Sequence, residues 1–357
     1  MNVTRFRAFP RRGVLRRGTA RAAVLLAGTW LVLVLAPAAE AARAYVSNED
    51  DGTVTVVDTQ RLTTLATFSV GKRPRGLALS HDGTRLYVAL SGLPKCPPPM
   101  TDADCARLPR DSQADGIAVI DTATLRPLTV LRGISDPERV EVSRDDRTLY
   151  VSEEDAGRLA VLDVARGTVH ATVAVGREPE GVRASPNGRW VLVTSEEENT
   201  LAVVDAREHT LLTTVKVGKR PRDIAITPDS RTAYVSGEAD ASVYRVALPS
   251  GAPVARLLVL RSDARPMGVT LDARGGRLYV STGRGGTVAV VAVPEGRLVT
   301  EIAVGTRPWG IALTVHGARL VTANGPSGDA SVVDTRSLTV IGKVSAGRGP
   351  WGVVAEP

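Results

Sequence analysis

Val70-Gly71-Lys72-Arg73-Pro74-Arg75-Gly76-Leu77-Ala78-Leu79-Ser80-His81-Asp82-Gly83-Thr84-Arg85-Leu86-Tyr87-Val88-Ala89-Leu90 holds two short apolar runs around an Asp-Gly pair. Residues 76–80 and 85–90 have strand length. Asp82-Gly83 tolerates positive φ, so residues 81–84 form a hairpin turn between them. Two further runs, at 116–121 and 128–131, complete a unit of four strands, A to D.

The phrase inside strand B recurs as Tyr45-Val46-Ser47, Tyr87-Val88-Ala89, Tyr150-Val151-Ser152, Leu192-Val193-Thr194, Tyr234-Val235-Ser236, Tyr279-Val280-Ser281 and Leu320-Val321-Thr322. Its spacings are 42, 63, 42, 42, 45 and 41 residues. A period of about 40–45 residues, with four strands per unit, is the signature of propeller blades. The one long interval carries an insertion of about 21 residues, placed at about 91–114. The first strand is a B strand, at 44–47, and the last an A strand, at 352–356. That last strand is expected to complete the first blade and hide two edges. The expected fold is all-β: one seven-bladed β-propeller over residues 42–357, with four-stranded blades closed by the C-terminal A strand. Asp58, Asp121, Asp163, Asp205 and Asp334 each end a C strand, where a carboxylate satisfies the backbone of the following turn. Their recurrence is architecture rather than catalysis.

Residues 1–41 differ from the rest. Seven arginines from Arg5 to Arg21 precede an apolar run, residues 22–36, and small residues end at Ala41. That order is a signal peptide, and the run is short for a bilayer span of about 20 residues. Arg11-Arg12 resembles a twin-arginine motif, but Pro10 precedes the pair, so Sec and twin-arginine export both stay open. The segment supplies +6 of the net charge of +7. The mature part is nearly neutral, which removes the charge argument for nucleic acid. The expected location is periplasmic or extracellular, with no membrane span after signal cleavage and a monomeric state. Cys96 and Cys105 flank Pro97-Pro98-Pro99 inside the insertion. An oxidising compartment favours a disulfide between them.

Val70 to Gly76, the Tyr-Val-Ser units and the Thr-Val-Thr-Val-Val-Asp strand at 53–58 resemble the YVTN β-propeller repeat over residues 44–357. The two ends, Tyr45-Val46-Ser47-Asn48-Glu49-Asp50-Asp51 and Gly349-Pro350-Trp351-Gly352-Val353-Val354, resemble the β-propeller family associated with PQQ-dependent catabolism. Val175-Gly176-Arg177-Glu178-Pro179-Glu180-Gly181 and Thr322-Ala323-Asn324-Gly325 fit it too. The resemblance implies a periplasmic partner of quinoprotein alcohol oxidation, and the expected role is non-catalytic binding or assembly, with a quinoprotein dehydrogenase or its cytochrome as the expected protein partner. The insertion with its cysteines departs from that pattern.

In a propeller the D-to-A and B-to-C connections share one face, here called the mouth. The residue after the repeated proline is Arg75, Glu138, Glu180, Arg222, Met267, Trp309 and Trp351 in turn. These are expected to ring the channel mouth, with two exposed tryptophans on one side and charges on the other. The residue before the proline is Arg73, Asp136, Glu178, Arg220, Arg265, Arg307 and Gly349. Glu49, Glu154, Glu196 and Glu238 recur at one position after strand B and form a candidate acidic arc for a basic partner. No metal is expected, because Ca²⁺ takes about six to eight oxygens and these carboxylates sit on separate blades. No motif for PQQ, a cation or another cofactor is present, and no catalytic triad. Two alternatives remain: a channel-site hydrolase or lactonase using Glu138, Glu180 and Asp223 with Arg75 and Arg222, and a surface-associated interaction protein.

Overall fold

Short β-rich segments separated by tight turns cannot bury two faces alone, so they stack. The computed structural model describes residues 42–96, 100, 101, 104 and 107–356, all within one compact unit, Ala41–Pro357. The segment expected to be the export signal, and Cys105, lie outside the described residues. Cys96 is described and is not free.

Among the described residues, 28 strands form seven four-stranded antiparallel sheets. Six blades use consecutive strands. Blade one takes its innermost strand, Pro350–Ala355, from the far end of the chain and pairs it with Arg43–Asn48. Ala44 faces Ala355, Tyr45 faces Val354 and Val46 faces Val353. The closure expected from the sequence is therefore observed. The A strands begin earlier than periodicity indicated, at Pro74 rather than Gly76 in blade two and at Pro350 rather than Gly352 in blade one. Proline suits the first strand position because its missing N–H is not needed there. A bulge then follows the proline before regular pairing resumes, as between Pro74 and Leu77. Blade six departs most, with an A strand reduced to Val269–Leu271.

The core lies between blades. Seven apolar clusters each join neighbouring blades; Ala78 and Tyr87 of blade two, for example, meet Val140 and Val151 of blade three. The final residue of the Tyr-Val-Ser phrase joins blades as well. The Ser47 hydroxyl accepts from Gly352 N–H at 2.9 Å and donates to the Arg75 carbonyl of the next blade at 2.7 Å. Ser152, Thr194, Ser236 and Ser281 do the same at their own junctions. Gly352, beside that hydroxyl, lets the strands close up: a Cβ there would stand 2.7 Å from the Arg75 carbonyl oxygen. The terminal aspartates behave as expected, Asp58 accepting from Gln60 and Arg61 N–H at 2.9 and 2.8 Å.

The described residues of the insertion are tied by ion pairs to three blades. Lys95 reaches Asp50 of blade one at 2.7 Å, Arg110 pairs with Asp115 at 2.8 Å and with Asp155 of blade three, and Lys72 pairs with Asp111.

Candidate functional site

One local device builds the mouth ring. The residue before each repeated proline takes a left-handed conformation in six blades: Arg73, Asp136, Glu178, Arg220 and Arg307 at φ between 39° and 51°, and Gly349 at 67°. This turn sets the next side chain among its neighbours from adjacent blades. The Trp309 and Trp351 rings meet at 5.7 Å, tilted by 38°. Arg75 pairs with Glu138 and reaches Glu154 at 2.7 Å. Arg222 pairs with Glu180, Glu196 at 2.5 Å and Glu238 at 2.7 Å. Outer guanidiniums complete the network, Arg73 on Glu49 at 2.7 Å and Arg220 on Glu196.

The ring residues are brought together, but they are not the exposed rim expected from the sequence. Arg75, Glu138, Glu180, Arg222, Met267 and Trp351 are buried, Trp351 at 6% exposure, and Trp309 is half-buried. The acidic arc is not an open surface either. Glu49 and Glu196 are buried, Glu154 and Glu238 are half-buried, and all four are engaged by arginines. The physical reason is neutralisation: carboxylates leave water when buried guanidiniums replace it as hydrogen-bond donors.

Carboxylates outnumber cations here, which disfavours charge on some of them. Burial, reinforced by Glu180, pushes Glu138 well above the usual carboxylate range against the pull of Arg75. Burial and the same neighbour push Glu196 up to about 8. Burial also disfavours the charged form of Glu180, but Arg222, Arg75 and hydrogen bonds from Glu196 and Glu138 together outweigh it and hold that carboxyl low. Arg75 and Arg222 are buried too, yet the surrounding carboxylates hold both above the ordinary guanidinium value.

A second cluster lies deeper in the channel. The residue following the ring position is glycine in five blades, but Arg139 in blade three and Asp223 in blade five. Asp223, grouped with Glu138 and Glu180 in the hydrolase alternative, instead belongs here. It accepts from Ile224 N–H at 2.8 Å, Val269 N–H at 3.2 Å and Arg183 at 3.1 Å. Burial raises its carboxyl, but Arg139, Arg183 and the Ile224 and Val269 N–H groups together outweigh that and hold it low. Arg183 also donates to Glu141 at 3.3 Å and to the Ile224 carbonyl at 3.2 Å. Arg139 crosses the lumen from blade three: its guanidinium lies 3.7 Å from Asp223 and 5.1 Å from the Trp351 ring centre in blade one. Arg139, Glu141 and Arg183 were missed as site residues; the break in the glycine column was the available signal.

Beyond Arg139, toward the A-to-B turns, the channel widens into a cavity of about 510 Å³ lined by A strands of all seven blades. Its walls include Leu77, Val142, Ile224, Val269, Ile311 and Val353, and His81 and Pro186 stand at the turn end. No group of three or more His, Cys, Asp or Glu side chains among the described residues could hold a metal ion.

A family model described as the cytochrome D1 heme domain matches residues 110–249. Among curated proteins no sequence matches the chain. Solved structures with the same fold include hydrazine synthase of Kuenenia stuttgartiensis, at 19% identity over 82% of this chain and 92% of that one, TM-score 0.69. A Desulfotomaculum acetoxidans protein of unknown function covers 88% and 98% at 18% identity, TM-score 0.70. A candidate 6-phosphogluconolactonase from Bacteroides uniformis covers 88% and 100% at 16% identity, TM-score 0.71. At these identities the likeness shows the β-propeller fold alone. A haem iron takes an axial His, Cys, Met or Tyr; of the described histidines, His316 is exposed in an A-to-B turn, and His170 and His209 stack on each other at 4.9 Å next to the outer strands of their blades. His81 is engaged with Asp146 at 2.8 Å, and Met267 is buried in the ring.

Proposed function

We propose that this chain is an exported, non-catalytic binding or assembly propeller. It acts as a monomer, accessory to periplasmic PQQ-dependent alcohol oxidation, on a quinoprotein dehydrogenase or its cytochrome. Residues 1–41 serve as the export signal, and a Cys96–Cys105 bond closes the insertion loop in the oxidising compartment. The observation that carries the proposal is the closure of the mouth network on itself. Glu49, Glu138, Glu154, Glu180, Glu196 and Glu238 are each held by arginine. A face whose carboxylates are each engaged by arginine, under a strapped loop, suits docking better than proton transfer. The alcohol-oxidising setting rests on the resemblance at Tyr45–Asp51 and Gly349–Val354. The test is affinity capture from cells grown on an alcohol and, separately, on a sugar, followed by mass spectrometry. Alcohol-dependent recovery of a quinoprotein dehydrogenase or cytochrome is expected; its absence would sink the assignment.

A channel-site hydrolase is the second reading. One observation favours it: Glu196 keeps its proton up to about 8 and Glu138 is raised as well, the state a general acid requires. The candidate lactonase among the fold neighbours points the same way. Lactone hydrolysis by the purified protein, lost in Glu138→Gln, would replace the binding role.

A further inference from the structure

Arg139 is placed like a ligand anchor rather than a structural pair. Its guanidinium makes no hydrogen bond to any described residue; its only side-chain partners are Asp223 at 3.7 Å and the face of Trp351 at 5.1 Å. Its side chain keeps 19% of its surface exposed, and it lines the channel cavity. We propose that this cavity, opening on the face opposite the mouth, is a binding site for a small organic monocarboxylate held by the Arg139 guanidinium.

The charge count sets the class. Asp223 already takes two backbone N–H groups and Arg183, so it has no need of an exogenous cation. Arg183 is engaged by Asp223, Glu141 and the Ile224 carbonyl. Among the described lining residues, Arg139 is ion-paired with Asp223 at 3.7 Å but makes no side-chain hydrogen bond, so its planar fork is open to a carboxylate in bidentate geometry. A single available fork suits a monoanion; a multiply charged oxyanion would need further donors that Glu141 and Asp223 oppose. Leu77, Val142, Ile224 and Ile311 turn into the cores between blades; the half-buried A-strand side chains Leu79, Ile226, Leu271 and Leu313 supply the apolar share of the wall against which a short tail can lie. The volume falls within the range of about 300–1,000 Å³ typical of small-molecule pockets. Trp351 stacks on the anchor, so occupancy should be visible in its fluorescence. The site is independent of any partner docked on the mouth.

The test titrates the purified full chain with hexanoate, hexan-1-ol and inorganic phosphate, by calorimetry and tryptophan fluorescence. One saturable hexanoate site is expected, with the neutral alcohol weaker by about tenfold or more. Arg139→Gln should weaken hexanoate by a similar factor. Thr270→Leu, which narrows the cavity from blade six without touching an ion pair, should weaken it too and decides the matter if Arg139→Gln fails to fold. No saturable hexanoate binding, equal affinity for the alcohol, or affinity unchanged in the folded variants would overturn the site. Preference for phosphate would overturn the organic class.

Discussion

Glu196 lies 2.5 Å from the Arg222 guanidinium and still keeps its proton up to about 8. Burial dominates, and Glu180 beside it claims the arginine first. A carboxyl raised in the folded state binds a proton that the unfolded chain releases near its ordinary value. Native protons then exceed unfolded protons from about pH 5 to about pH 8, so stability falls as pH rises through that window. Each unit of displaced titration corresponds to about 1.4 kcal/mol, and the shared network spreads that loss over several groups. Glu196→Gln should flatten the decline and leave the variant the more stable protein at alkaline pH. Urea midpoints at about pH 5.5 and about pH 8.5 check this; a wild-type midpoint that holds or climbs with pH contradicts it. Which residues follow the repeated prolines was legible in the sequence, as was the meeting of Trp309 and Trp351. Their burial was not, because Arg and Glu at a loop read as solvated until the opposite charge from another blade is placed beside them. Arg139 and Asp223 stood out only as interruptions of a glycine column; that one crosses the lumen to the other depends on ring geometry that no local window contains.

At the scale of the strand, the serine of the recurring phrase has a job that periodicity alone does not reveal. Ser236 is fully buried, accepts from Asp223 N–H at 3.0 Å and donates to the Met267 carbonyl of the next blade at 2.6 Å. Ser236→Ala leaves both groups short of a partner in a dry junction, where an unsatisfied buried group costs about 1–3 kcal/mol. A drop of that size in denaturant stability, with the slope of the transition unchanged, is expected. An unaltered midpoint would show that the two backbone groups find other partners. Blade two carries Ala89 at this position, so its junction with blade three lacks the bond; Gly76 there still admits the next strand, a Cβ standing 2.7 Å from Arg139 Cα.

At the scale of the whole molecule, closure of the ring rests on Pro350–Ala355. Trp351 and Val353 of that strand are buried, the Tyr45 hydroxyl donates to Glu356 at 3.0 Å, and Glu356 N–H donates to the Arg43 carbonyl at 3.0 Å. Removing residues from Pro350 onward opens the inner edge of blade one and uncovers the apolar contacts it shares with blade seven. A loss of several kcal/mol is expected against a total of about 5–15 kcal/mol for an ordinary domain, read as a large fall in melting temperature. A truncated chain that melts with the intact one would mean that the ring does not depend on its clasp. The same clasp imposes an order on biosynthesis. The strand made among the first, Arg43–Asn48, waits for one made among the last, with roughly the length of the chain as the loop to be closed, the slowest kind of contact to form. Blades two to seven can each assemble as they leave the ribosome, but the ring stays an open horseshoe until the final segment emerges. A chain threaded across a membrane residue by residue would therefore close only on the far side.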